Sequence, residues 1–280
     1  MAQVATTEGA TSPAIRRHEL RKEFLRQFKS IAPNRRRFQV FSDFVTMSAL
    51  ALANQIIKDE GREEEYLTII RSYENKEDQR AFTKLLALVV QMLEPEPHDI
   101  LGEIYMELEF GERSKGQFFT PQVVSDAISR MMIEADLEQK LQERPFILLS
   151  EPACGAGGMI LSFFKTVKEK GFNPQQCLWV QAIDVDRVSA LMCYIQLSLW
   201  HVPAEVIVGN ALTLEVREVF KTPAHHLGFW GAKLKHHKAS QKAEAEEPKQ
   251  ESAPAMPDPP SSEPPSEPSA PTGTQFDFGF

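Results

Sequence analysis

The stretch Phe146-Ile147-Leu148-Leu149-Ser150-Glu151-Pro152-Ala153-Cys154-Gly155-Ala156-Gly157-Gly158-Met159 decides how this chain is read. Phe146 to Leu149 is an apolar run short enough to be a buried strand. The residues that follow Met159, Ile160-Leu161-Ser162-Phe163-Phe164, read as the apolar face of a helix. An acid ends the strand, a glycine-rich turn follows it, and a helix begins. An α/β sheet holds an adenosine-containing cofactor in this way: glycines let the backbone approach the ligand, and the helix start offers free N–H groups.

Three further segments fall into order around this turn. Upstream, Gly116-Gln117-Phe118-Phe119-Thr120-Pro121 precedes a helical pattern from Gln122 to Ile133, with Thr120 as N-cap and Pro121 at the first helical position. Downstream, Trp179 to Ile183 reads as a second strand ending in Asp184-Val185-Asp186, where a carboxylate can hold a ribose diol. Glu205 to Val208 reads as a third strand, ending in Gly209-Asn210-Ala211-Leu212-Thr213, and Asn210 would present its amide at the rim of the same crevice.

In this order the four motifs resemble the cofactor half of the N6-adenine DNA methyltransferase family, with the modification subunits of type I restriction systems as the nearest relatives. The resemblance runs from about Leu101 to Thr213. It implies a Rossmann-like unit binding S-adenosylmethionine. It would put Phe118, Phe119 and Thr120 against the methionine end. Glu151 and the backbone of Ala153, Cys154 and Gly155 would lie under the amino group and sulfonium. Asp184 would meet the ribose, and Asn210 the adenine amine of the cofactor. Cys154 itself reads as a small packing residue of the turn.

One expected segment is missing. The family carries Asn or Asp, two prolines and an aromatic residue after a fourth strand. These hold the flipped adenine and aim its amine at the methyl group, so that orientation supplies most of the chemistry. After Thr213 the chain reads Leu214-Glu215-Val216-Arg217-Glu218-Val219-Phe220-Lys221-Thr222-Pro223, with one proline and no strand expected before it. The catalytic residues are therefore unassigned, and the methyltransferase unit reads as truncated.

The rest of the chain divides by composition. Residues 1–13 are polar and read as disordered. Residues 14–111 are helical in pattern, with Leu20, Phe24, Leu25 and Phe28 at helical spacing, and likewise Phe41, Phe44, Val45 and Ala49. Residues 112–237 form the α/β domain. Residues 238–280 are rich in Pro, Ser, Ala and Glu, and read as a disordered tail. The chain has a net charge of −8, of which the tail carries −5. Contact with double-stranded DNA would therefore rest on local patches, Arg16-Arg17 with Arg35-Arg36-Arg37, and Lys233 to Lys238. Solvated surface is the plainer reading of both patches.

No apolar run reaches the ~18 residues a membrane span needs, and the N-terminus lacks the pattern of a signal peptide. Three cysteines make neither a disulfide framework nor a metal site, and an odd count suits a reducing cytoplasm; the family resemblance implies a bacterial or mobile-element source. His225-His226 lacks a second ligand pair, so no metal is expected. The chain ends Gln275-Phe276-Asp277-Phe278-Gly279-Phe280, whose alternating aromatics resemble peptides that dock on bacterial sliding clamps. Three functions stay open: a DNA adenine methyltransferase that acts alone or receives its base pocket from a partner, such as another restriction-modification subunit, or from an unusual C-terminal segment; a cofactor-binding but silent regulatory or decoy subunit; and an adaptor whose tail recruits replication machinery.

Overall fold

A computed structural model describes residues 12–108, 119–134 and 137–246. Five helices open it: α1 (Pro13–Ser30), α2 (Arg37–Asn54), α3 (Glu60–Arg71), α4 (Lys76–Leu93) and α5 (Ile100–Glu107). Their starts follow from capping chemistry. The Asp59 carboxylate accepts from Arg62 N at 2.9 Å, and Asn75 Oδ1 accepts from Glu77 N at 2.9 Å. In α2 the apolar residues run nearly all round, and both its long faces are covered, by α3 on one side and by α10 on another.

The sheet segment follows: α6 (Gln122–Glu134), α7 (Leu137–Glu143), β1 (Ile147–Glu151), α8 (Gly158–Glu169), α9 (Pro174–Cys177), β2 (Leu178–Asp184), α10 (Arg187–Leu199), β3 (Ala204–Asn210), β4 (Glu215–Lys221), α11 (Pro223–Leu227) and α12 (Trp230–Glu246). The strands lie in the order β1-β2-β3-β4. The first three are parallel, with Leu149 opposite Val180 and Val180 opposite Ala204. On that face Leu178, Val180, Ala182, Ala204 and Val206 are fully buried, and α10 packs over β2 and β3. One apolar core runs from Phe24, Phe41 and Tyr105 in the helical segment through Ile160 and Leu191 to Val206 in the sheet. The α-helical segment and the sheet are thus not separately cored.

Three expectations are corrected. A strand does precede Pro223: β4 pairs antiparallel with β3, placing Phe220 opposite Val206 and Val219 opposite Ile207. Its residues are mostly charged, and its strand form comes from pairing with β3 rather than from an apolar run. The second correction concerns β1, read above as buried. Leu148 is 48 % exposed on β1, the end strand of the sheet. Helix α12 also continues to Glu246, past Lys238, since Ala, Gln, Lys and Glu favour a helix until Pro248. Residues 247–280, with the terminal aromatics, lie outside the described residues. No helix among the described residues is long and apolar enough to cross a membrane.

Candidate cofactor site

At the carboxyl ends of β1 and β2 the chain closes a cavity of about 250 Å³. Of the residues singled out in the sequence, Phe119, Thr120, Ala153, Cys154, Gly155 and Asp184 line it. The turn that forms its floor depends on glycine. Gly155 has φ +53° and Gly157 has φ +96°, both in the left-handed region. A Cβ on Gly155 would stand 2.8 Å from the Phe119 ring, so the ring can lie over the turn only because that atom is absent. Phe119 is held in turn by an edge-to-face contact with Tyr105, 5.3 Å between centroids.

Asp184 fastens the turn to the end of β2. Its Oδ2 accepts from Gly155 N at 2.8 Å and its Oδ1 from Asp186 N at 2.8 Å. Burial holds its carboxyl above the usual range, against the pull of those N–H groups. An ionised carboxylate has about four lone-pair sites, so acceptor capacity remains for a ligand hydroxyl. Asp186 does different work: it caps α10, accepting from Ser189 N at 2.8 Å. The hydrogen-bonded Cys193 thiol and burial push the Cys154 thiol well up, which leaves it protonated and unreactive.

Other sequence candidates stand apart from the cavity wall. Glu151 turns back on its own loop, accepting from Ala153 N at 3.2 Å. Asn210 Oδ1 accepts from Leu212 N at 2.9 Å and Thr213 N at 3.3 Å. Both lone pairs of that oxygen are thereby engaged in the turn after β3, and it offers no acceptor to an adenine amine in this conformation. Phe118 lies outside the described residues.

The residues missed in the sequence come from the helical segment and from α10. Asp99, from the start of α5, lines the cavity beside Gly158 and Met159. Gln196 of α10 ties three elements together. Its Nε2 donates to Asp99 Oδ1 at 2.9 Å and to Ala156 O at 2.8 Å, and its Oε1 accepts from Leu101 N at 3.1 Å. Gln122, at the start of α6, accepts from Asp99 N at 3.2 Å and donates to Ser162 Oγ at 2.8 Å. A polar residue in an apolar stretch was the available signal for Gln196, but nothing local named its partners.

The first basic patch is largely spent on the chain itself. Arg37 donates to the carbonyls of Phe28 and Ile31, at 3.3 and 2.8 Å, closing the end of α1. Arg35 lies 4.0 Å over the Tyr73 ring and bonds Ser72, and Arg17 pairs with Glu96 at 3.3 Å. His225 is likewise structural: it is buried, and its Nδ1 accepts from Trp179 Nε1 at 3.1 Å. A larger groove of about 600 Å³ between α2 and α3, near Asn54, Lys58 and Glu63, gathers no comparable set of strand-end groups.

Residues 96–226 match the family model of N-6 DNA methylases. Among solved structures, the chain is similar to a putative class I S-adenosylmethionine-dependent methyltransferase from Listeria monocytogenes. Identity is 13 %, with 70 % of this chain and 52 % of that chain covered and a TM-score of 0.36. No curated protein matches the chain.

Proposed function

Residues 96–226 match the N-6 DNA methylase family model, and on that footing we propose that this protein binds S-adenosylmethionine at the ends of β1 and β2 and serves in N6 methylation of adenine in DNA, with the base-holding half supplied from outside these 280 residues. The observation that carries the reading is the convergence of Gly155, Asp184, Phe119 and Thr120 on one cavity. When bound, the cofactor supplies an electrophilic methyl group on a sulfonium. The chain's own part is to hold and dry it. Asp184 has the acceptor capacity for ribose hydroxyls, the glycine turn brings backbone N–H groups close, and Phe119 excludes water.

Two observations support a borrowed base pocket. No Asn/Asp-Pro-Pro-aromatic run occurs in the 280 residues; Asp258-Pro259-Pro260-Ser261 shares its first three positions but ends on serine and lies outside the described residues. Among the described residues β1 also pairs only with β2, so its other edge is free to accept a strand. A modification complex of a restriction system would provide such a partner. The same two observations favour the second reading, a cofactor-holding subunit that is silent alone.

The test is a calorimetric titration of the intact protein with S-adenosylmethionine, with a radiolabelled methyl-transfer assay on unmethylated DNA. Binding without transfer by the isolated chain is expected. Absence of binding would defeat the proposal. Methyl incorporation by the pure chain would defeat the borrowed pocket and point to residues 214–237.

A further inference from the structure

Asp99 has more carboxylate than its structural task needs. As N-cap of α5 it accepts from Gly102 N at 2.8 Å, and the same oxygen, Oδ1, takes the Gln196 amide at 2.9 Å. An asparagine would serve both bonds, since Asn and Asp cap about equally well. Oδ2 is left over. Among the described residues it accepts no hydrogen bond, and it stands in the cavity wall where a Cβ on Gly158 would be 3.2 Å away. Asp99 is only 6 % exposed.

No cation among the described residues is paired with it, and His98 acts on it only at a distance. The nearby cations are committed to other carboxylates: Lys165 and Arg17 to Glu96, at 2.8 and 3.3 Å, and His98 and Arg21 to Glu103, at 2.7 and 3.1 Å. Burial accordingly holds the Asp99 carboxyl above its usual range. A buried carboxylate oxygen lacking both a donor and a directly paired cation is costly until a cation with N–H groups meets it. Glu151, the acid expected near the methionine end, is turned onto its own loop instead.

We infer that Asp99 is a cofactor-binding residue whose Oδ2 receives the α-ammonium group of the S-adenosylmethionine amino-acid portion. The inference rests on the reading of the cavity given above. The two cations of that ligand differ in a useful way: the ammonium carries three donors, as a lysine head does, and the sulfonium none. An oxygen short of a donor selects the ammonium. The carboxylates of the cavity then divide the work, Asp184 taking neutral hydroxyls and Asp99 the charge.

The experiment titrates the full-length protein and Asp99→Asn with three probes: S-adenosylmethionine, S-adenosylhomocysteine, which keeps the ammonium and lacks the sulfonium, and 5′-methylthioadenosine, which lacks both. The variant is expected to lose about tenfold to a hundredfold in affinity for the first two and to keep its affinity for the third, with an unchanged thermal midpoint. Asp99→Ser, which also caps a helix but has no carboxylate, serves if Asp99→Asn does not fold. Equal loss for all three probes, or no loss, would overturn the inference. Loss for S-adenosylmethionine alone would reassign the carboxylate to the sulfur and overturn it too. Failure of the unaltered protein to bind any of the three would instead sink the reading of the cavity itself.

Discussion

The two ends of β1 and β2 are built on opposite principles. At their amino ends Phe146, Trp179 and Trp230 close an apolar plug with Leu234, and the Phe146 and Trp230 rings meet edge to face at 5.1 Å. The Trp179 indole N–H finds His225. At their carboxyl ends the chain buries Asp99 and Asp184, bends two glycines into left-handed conformations and leaves a cavity. The first end spends its residues on packing. The second carries carboxyl groups above their usual range and a carboxylate oxygen without a donor, features that give a stable apo protein nothing and a ligand a great deal. Stability and binding should therefore separate along the length of two strands.

The strongest way to break this contrast is Trp230→Ala. Trp230 is fully buried, so the substitution should cost about 3–5 kcal/mol in urea unfolding, with S-adenosylmethionine affinity unchanged in protein that remains folded. A parallel loss of affinity would mean that the plug also shapes the cavity. Asp184→Ala is the reciprocal test. It should weaken cofactor binding by about 1.5–3 kcal/mol in calorimetry, and it should destabilise the fold less than Trp230→Ala does, although Gly155 N and Asp186 N lose their acceptor.

A further expected effect is one of pH. Burial, then the Lys221 and His226 charges, lowers the His225 pKa from 6.5 to about 4. Between those values the unfolded chain binds more protons than the folded one, so His225 makes stability fall as pH drops through that window and leaves it level above. Asp99 and Asp184, raised by burial, act in the opposite sense. Comparison with His225→Gln, which keeps an acceptor for Trp179 and cannot titrate, isolates the histidine. Identical pH slopes for the two proteins would remove it from the account.

The glycine turn and the acid ending β2 were legible in the sequence, because each is decided within a few residues, and the caps at Asp59, Asn75 and Asp186, which went unread, are equally local. Strand β4 was not legible: Glu215, Arg217, Glu218 and Lys221 hide two valines and a phenylalanine whose strand form comes from β3. The arginine patch misled for a related reason. A run of charge states nothing about whether carbonyls such as those of Phe28 and Ile31 lie within reach.

By itself the sequence determined where backbone must bend, which faces are apolar and which acid ends β2, since side-chain period, φ preference and capping are properties of neighbours along the chain. Only the tertiary structure decided that Asp99 stands beside Gly158, that Gln196 joins α5 to the cofactor turn, that Asn210 spends its oxygen on its own loop and that Leu148 is half exposed on the end strand of the sheet. The physical reason is range. Hydrogen bonds and burial act between groups a few ångströms apart in space, and the core that brings α5, α8 and α10 together is assembled from residues far apart in the chain, whose meeting no local pattern encodes.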